Sequence, residues 1–140
     1  MPRAPQELYK QMAEVKNSAR DAENKKLGRE GEKQAVKYLK KNGYKILEKN
    51  YRTRFGEVDV IARKGEVVAF IEVKTRLTDI FGSPSQAVTR ERQFKYIQAA
   101  KFYFAGCETD CVVRFDVIEI FRGNLNHIES AFENNGIYKR

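Results

Sequence analysis

The stretch from Gly56 to Thr75 constrains the fold of this chain more than any other. It reads Gly56-Glu57-Val58-Asp59-Val60-Ile61, then a polar break at Lys64-Gly65, then Val67-Val68-Ala69-Phe70-Ile71-Glu72-Val73-Lys74-Thr75. Short apolar runs rich in β-branched residues are strands that a core buries, and the two-residue break predicts an antiparallel hairpin with strands over Glu57 to Arg63 and Glu66 to Thr75. A preceding strand-like run, Tyr44 to Thr53, extends the hairpin to a three-stranded meander. Three acids, Glu57, Asp59 and Glu72, and a lysine interrupt strands that are otherwise apolar, and they carry the functional information.

Side chains alternate along a strand, so Glu72 and Lys74 share a face with Val68 and Phe70. With Lys64 and Gly65 as the central turn residues, Ile61 faces Val68, Asp59 faces Phe70 and Glu57 faces Glu72. Asp59 then lies diagonal to Glu72 at roughly 7 Å, within reach of a shared ion. A three-residue loop would send Asp59 to the opposite face. Like charges so placed repel, which calls for a cation, a basic partner or protonation of one acid. Lys74 is one cation at hand, and an all-oxygen donor set without histidine suits a hard divalent ion, Mg²⁺ or Mn²⁺. Such a site fits phosphodiester hydrolysis: the ion neutralises a phosphate oxygen and acidifies a water, and the lysine orients that water and stabilises developing charge. A sheet face carrying an ordinary Glu-Lys salt-bridge pattern accounts for the same residues, and spacing alone does not separate the two.

Other chemistries are harder to build. The 140 residues suffice for one core and are too few for two ordinary domains. His127, Cys107 and Cys111 are the only soft ligands, one fewer than a structural zinc site takes, and a single histidine argues against Ser-His-Asp or Cys-His catalysis. The 27 basic against 19 acidic residues leave a net charge of +8, which favours a polyanion, nucleic acid first, over an acidic-protein partner. No apolar run approaches the roughly 18 residues of a membrane span, and Met1 to Glu7 lacks the apolar core of a secretory signal, so the expected setting is a reducing cytoplasm with both cysteines as free thiols.

Around the meander, Leu8, Met12, Val15, Ala19 and Ala22 form one stripe of a peripheral N-terminal helix over Gln6 to about Asn24. A second helix is predicted over Lys26 to Lys41, with Leu27, Gly31, Ala35, Tyr38 and Leu39 on one face and Gly43 as its stop. Gly28 and Gly31 inside it mark either a close approach of another group or a frayed start. Thr78 to Pro84 reads as a loop. Ser85 to Ala105 follows as a helix with Phe94, Ile97, Ala100 and Phe104 on its apolar face, and strands over Val112 to Phe121 and Leu125 to Ser130 close the domain.

Taken in order, Gly28-Arg29-Glu30-Gly31-Glu32, Asn50-Tyr51-Arg52, Phe55-Gly56-Glu57-Val58-Asp59-Val60-Ile61, Phe70-Ile71-Glu72-Val73-Lys74-Thr75-Arg76, Phe81-Gly82-Ser83-Pro84 and Ala87-Val88-Thr89 resemble the successive blocks of the YraN-like bacterial proteins. That family is assigned to the restriction-endonuclease-like superfamily, the PD-(D/E)xK nucleases, and is similar to archaeal Holliday junction resolvases. The resemblance covers about Lys26 to Phe132, which sets residues 1–25 apart as an N-terminal helical extension, 26–132 as the nuclease-like domain and 133–140 as a C-terminal tail.

The resemblance implies an α/β fold, a mixed sheet flanked by helices, with an extra N-terminal helix. It implies Asp59 and Glu72 as metal ligands for Mg²⁺ or Mn²⁺, the Val73 carbonyl as a further ligand, Lys74 as the catalytic lysine, and Glu32 as the acid that the resolvase-like members carry on their first helix. Glu-Val-Asp stands where the superfamily's name has Pro-Asp, which leaves Glu57 and Asp59 both open as the metal acid, with apolar Val60 and Ile61 favouring Asp59. The implied activity is hydrolysis of DNA, branched or otherwise structured, and a homodimer is the arrangement of the resolvase-like relatives. A non-catalytic nucleic-acid-binding module or a DNA-processing scaffold is the competing reading on the same fold. Arg52 and Arg54 before the acids, Arg76 after Lys74, and Arg90, Arg92 and Lys95 on the later helix are candidate phosphate contacts. Tyr51, Phe55 and Phe81 are candidates for base stacking or for core packing.

Overall fold

In the computed structural model, residues 5–77, 88–107 and 110–133 are described, without the side chains of 5–6, 9 and 12–20. Seven elements follow in order: α1 (Pro5–Lys41), β1 (Lys45–Thr53), β2 (Gly56–Lys64), β3 (Val67–Arg76), α2 (Arg90–Tyr103), β4 (Val112–Phe121) and β5 (Asn124–Phe132). The strands form one sheet in the order β1-β2-β3-β4-β5. Every pairing is antiparallel except β3 with β4, which is parallel and therefore needs the crossover that contains α2. This is the α/β mixed sheet flanked by helices that the family resemblance implies.

The two helices cover opposite faces. On one side Ala35 and Leu39 of α1 pack on Val60, Ala62, Ala69, Ile71, Ile118 and Ile120. On the other, Tyr96, Ile97, Ala99 and Ala100 of α2 pack on Val58, Ile61, Val68, Phe70 and Phe115. Successive residues of β3 feed alternate layers, which is why that strand is apolar without a break from Val67 to Ile71.

Three expectations need correction. The two predicted N-terminal helices are one, running unbroken from Pro5 to Lys41, because no breaker separates Asn24 from Lys26. It ends where predicted: Gly43 at φ 88° lets its own N–H reach the Lys40 carbonyl and the Tyr44 N–H reach that of Leu39. On α2 the buried face is Tyr96, Ile97, Ala99 and Ala100, while Phe94 is 54% exposed and Phe104 lies past the helix end. The small Ala99 and Ala100 let that face close on the sheet, and Phe94 meets Phe55 edge-on instead. The helix starts at Arg90, with the Thr89 hydroxyl capping the Arg92 N–H, and the predicted start at Ser85 and the loop from Thr78 to Pro84 lie outside the described residues.

The third correction concerns register. Lys64 pairs with Val67 and Val60 with Ile71, so the turn is Gly65-Glu66, one residue later than predicted. Glycine at the first turn position, φ 60°, is what a two-residue hairpin of the type II′ family favours. The shift moves each partner by two residues, which preserves the facing and puts Asp59 level with Glu72 rather than Phe70.

Candidate functional site

The last recorded β2-β3 pair is Val60 with Ile71, and the site begins one residue beyond it. There the Val73 N–H donates to Asp59 Oδ2 at 2.8 Å, so a side-chain carboxylate takes a strand amide where the two central strands part. Val58 and Val60 are two residues apart yet pack in opposite layers of the core, so the alternation of β2 breaks at Asp59. The break turns the aspartate toward the gap instead of setting it flat on one face. Tyr96 of α2 is hydrogen-bonded to the Asp59 backbone and holds the gap from the other side.

Glu32 reaches the gap from α1 because its neighbour is glycine. A Cβ on Gly31 would stand 2.0 Å from Thr75 Oγ1 and 3.2 Å from Thr75 Cβ, so only glycine lets the helix come this close to β3. Of the two readings of these glycines, close approach is the one that holds for Gly31. Glu32, Glu57 and Asp59 each place a carboxylate oxygen within 4.8 Å of the other two. Asn50, with its amide nitrogen turned toward them, donates to Glu57 Oε1 at 2.7 Å and to Glu32 Oε2 at 3.2 Å. Asn50 sits at φ 53°, a conformation that asparagine tolerates better than most residues, and no signal in the sequence marks its role.

Glu72 is placed differently from its predicted role. It is 4% exposed, and its Oε1 accepts from Arg92 Nη1 of α2, so Arg92 is an ion-pair partner of the site. Glu72 still lines one cleft with Glu32, Asp59, Val73, Lys74, Arg76 and Arg92, a space of about 590 Å³ that the Gly28 turn of α1 borders. The sheet-face group predicted from spacing was Glu57, Asp59 and Glu72. The clustered group is Glu57 and Asp59 with Glu32, and Glu72 stands beside it, tied to arginine.

Burial pushes Asp59 from 3.8 up to about 7; the Val73 amide works against that shift, and the charges of Glu32, Glu72 and Glu57 add to it. Glu32 is raised by burial and by Glu57, with Asn50 opposing. Lys74 is lowered from 10.5 by burial and by Arg76 and Arg92, while Glu72 and Glu119 favour its charged form. Glu119, level with Lys74 on the parallel neighbour β4, is a buried acid the sequence reading passed over. The electrostatic pattern is a carboxylate cluster short of positive charge next to a lysine that is partly stripped of water.

The remaining basic candidates separate. Arg52 pairs with Glu57 at 3.3 Å, Arg54 lies over the Phe55 ring at 4.8 Å, and Arg76 lines the cleft. Arg90 opens α2 on the exposed side, and Lys95 pairs with Glu91 at 3.7 Å. Tyr51 packs edge-on against Tyr103 within the α2-side layer, so its role is packing. Phe81 lies outside the described residues. No described helix is long and apolar enough to cross a membrane.

Fold and site together define an α/β domain with an acid cluster and a lysine where its central strands part. The chain belongs to the family described as Uncharacterised protein family UPF0102, which matches residues 31–120. Its relatives include a UPF0102 protein of Thermodesulfovibrio yellowstonii, 50% identical over 106 residues that cover 76% of this chain and 95% of that one. The UPF0102 protein of Alkaliphilus oremlandii is 45% identical over 116 residues, 78% of this chain and 99% of its own. That of Caldicellulosiruptor saccharolyticus is 40% identical over 115 residues, 77% and 98%.

Proposed function

We propose that this protein is a metal-dependent endonuclease that hydrolyses phosphodiester bonds in DNA, with branched or otherwise structured DNA as its substrate. The observation that carries the reading is the cluster of Glu32, Glu57 and Asp59, three carboxylates within 4.8 Å of one another at the mouth of a cleft that Lys74 also lines. The residues fit a hard divalent ion. All donors are oxygens, Asp59 is driven toward its protonated form, and a cation would remove the repulsion that burial and neighbouring acids create.

Glu32, Glu57 and Asp59 would hold Mg²⁺ or Mn²⁺, with the Val73 carbonyl and Glu72 at the same cleft. When bound, such an ion supplies neutralisation of a phosphate oxygen and a more acidic water. The protein's own groups do the rest. The Val73 amide and the Tyr96 contact fix Asp59, and Asn50 orients Glu32 and Glu57. Lys74 orients the attacking water and stabilises charge developing on the phosphate, and Arg76 beside it holds the backbone of the scissile strand. The ion pair with Arg92 holds the Glu72 carboxylate in place at the edge of the cleft.

The Arg92-Glu72 and Arg52-Glu57 pairs also favour a second reading, a nucleic-acid-binding module in which these acids serve as structural charge. A panel of linear, flapped, single-stranded and four-way-junction DNAs with Mg²⁺ and Mn²⁺ decides between them. Hydrolysis that Lys74→Ala abolishes, with DNA affinity nearly unchanged, supports the nuclease. DNA binding without hydrolysis of any substrate supports the module.

A further inference from the structure

A second groove leaves the acid cluster on the other side of α1, and nothing in the endonuclease reading requires it. Four basic residues, Arg29, Lys33, Lys37 and Lys40, recur on one flank of the helix, and Lys49 faces them from the edge strand β1. All five are exposed, and among the described residues none pairs with a carboxylate. Between the two rows lies a groove of about 450 Å³ floored by Val36 and Val60, and its lining includes Glu32, Asn50 and Asp59. Glu32 is three residues from Arg29 and eight from Lys40, so the cluster opens at the Arg29 end.

From Arg29 to Lys40 the helix rises about 16 Å, the axial length of about five nucleotides of one strand at 3.4 Å each. A groove of about 450 Å³ set between one helix and one edge strand is too small to take in a double helix, so what enters it is a single strand. A row of unpaired cations along a narrow groove with an apolar floor recognises a string of phosphates and reads no base edges.

The geometry points to a path for one single strand of DNA along the α1-β1 groove, leading the strand to or from the acid cluster. This inference rests on the nuclease reading and narrows its substrate class: the preferred DNA carries a single-stranded arm or flap beside the bond that is cut, and an uninterrupted duplex is a poor substrate. The cleft on the Lys74 side takes the scissile phosphate, and the groove takes the unpaired arm.

The test is the salt dependence of DNA binding in EDTA, followed by fluorescence anisotropy with a labelled single-stranded oligonucleotide and a blunt duplex. Lys33→Gln with Lys37→Gln removes two groove charges, and Lys10→Gln with Lys101→Gln removes two exposed charges elsewhere. Loss of two single-strand phosphate contacts lowers the slope of log K against log salt by about 1.4, which is about 25-fold in affinity at 0.1 M salt. That loss is expected for the single strand in the groove variant and not in the control. The inference is overturned if both variants lose equally, if the duplex is weakened as much as the single strand, or if the single strand does not bind. Binding needs no hydrolysis, so the two failures stay distinct. A groove-dependent single-strand slope without cleavage of any substrate removes the nuclease and keeps the strand path, whereas Lys74-dependent cleavage with unchanged slopes does the reverse.

Discussion

Replacing Asp59 with asparagine should make the metal-free protein more stable at pH 8, although the residue sits at the heart of the proposed site. Burial and the neighbouring acids raise the folded-state pKa of Asp59 from 3.8 to about 7, so the folded protein holds a proton that the unfolded chain has released. A group raised in this way favours folding least at high pH: stability falls as pH rises from about 4 to about 7 and is level above that. Three units at 1.36 kcal/mol each make the full penalty about 4 kcal/mol, of which roughly 2 to 3 kcal/mol develops between pH 5 and pH 8. Asparagine removes the ionisation and keeps an oxygen for the Val73 amide, which donates to Asp59 at 2.8 Å. The expected gain of the variant over wild type therefore grows from pH 5 to pH 8, by roughly 7 to 10 °C in Tm for a domain of 140 residues. Urea and thermal unfolding in EDTA, followed by circular dichroism at both pH values, measure it. A difference between the two proteins that does not change with pH, or that falls toward pH 8, would show that the folded protein does not raise the pKa of Asp59.

Asp116 should show the opposite dependence. It is fully buried, and although burial opposes its charge, hydrogen bonds from His127, Arg114 and the Ser130 amide hold its pKa below the usual carboxylate value. Asp116→Asn should cost about 3 kcal/mol at neutral pH, the cost should shrink in acid as the wild-type carboxylate protonates, and hydrolysis by the remaining folded protein should be unchanged. Gly31→Ala should destabilise by about 1 to 3 kcal/mol, read from urea midpoints, and should lower hydrolysis among the folded molecules because it pushes α1 and Glu32 away from Thr75. Arg92→Gln should cost about 2 kcal/mol by leaving Glu72 buried without its cation, and should tighten Mn²⁺ binding in calorimetry because Glu72 becomes free to join the acids.

The parts of the site that lie on one strand were legible in the sequence, and the parts that depend on packing between elements were not. Strand alternation places Glu72 and Lys74 on one face because the period of a strand is two. The apolar run of β3 announces a strand covered on both sides. The one-residue error in the turn left Asp59 in the right neighbourhood because its effect on facing cancels. Periodicity assigns a residue to a face without naming what meets it there, which is why the Arg92-Glu72 pair was invisible and Arg92 read as a phosphate contact. The same limit hid Asn50, whose role depends on Glu32 and Glu57 arriving from α1 and β2. Glu32 itself came from a resemblance to a family, since its distance from Asp59 is set by Gly31 against Thr75, a contact between residues 44 positions apart.

The proposed nuclease depends on a divalent ion held by Glu32, Glu57 and Asp59. Isothermal titration of Mn²⁺ into wild type, Glu32→Gln and Asp59→Asn at pH 8 tests it most directly. Wild type should bind one ion or more, with little proton release at pH 8, where Asp59 is mostly ionised, and more toward pH 6, and each variant should lose most of the affinity. Equal heats and equal affinities in all three proteins, or no binding by wild type, would leave these acids as structural charge.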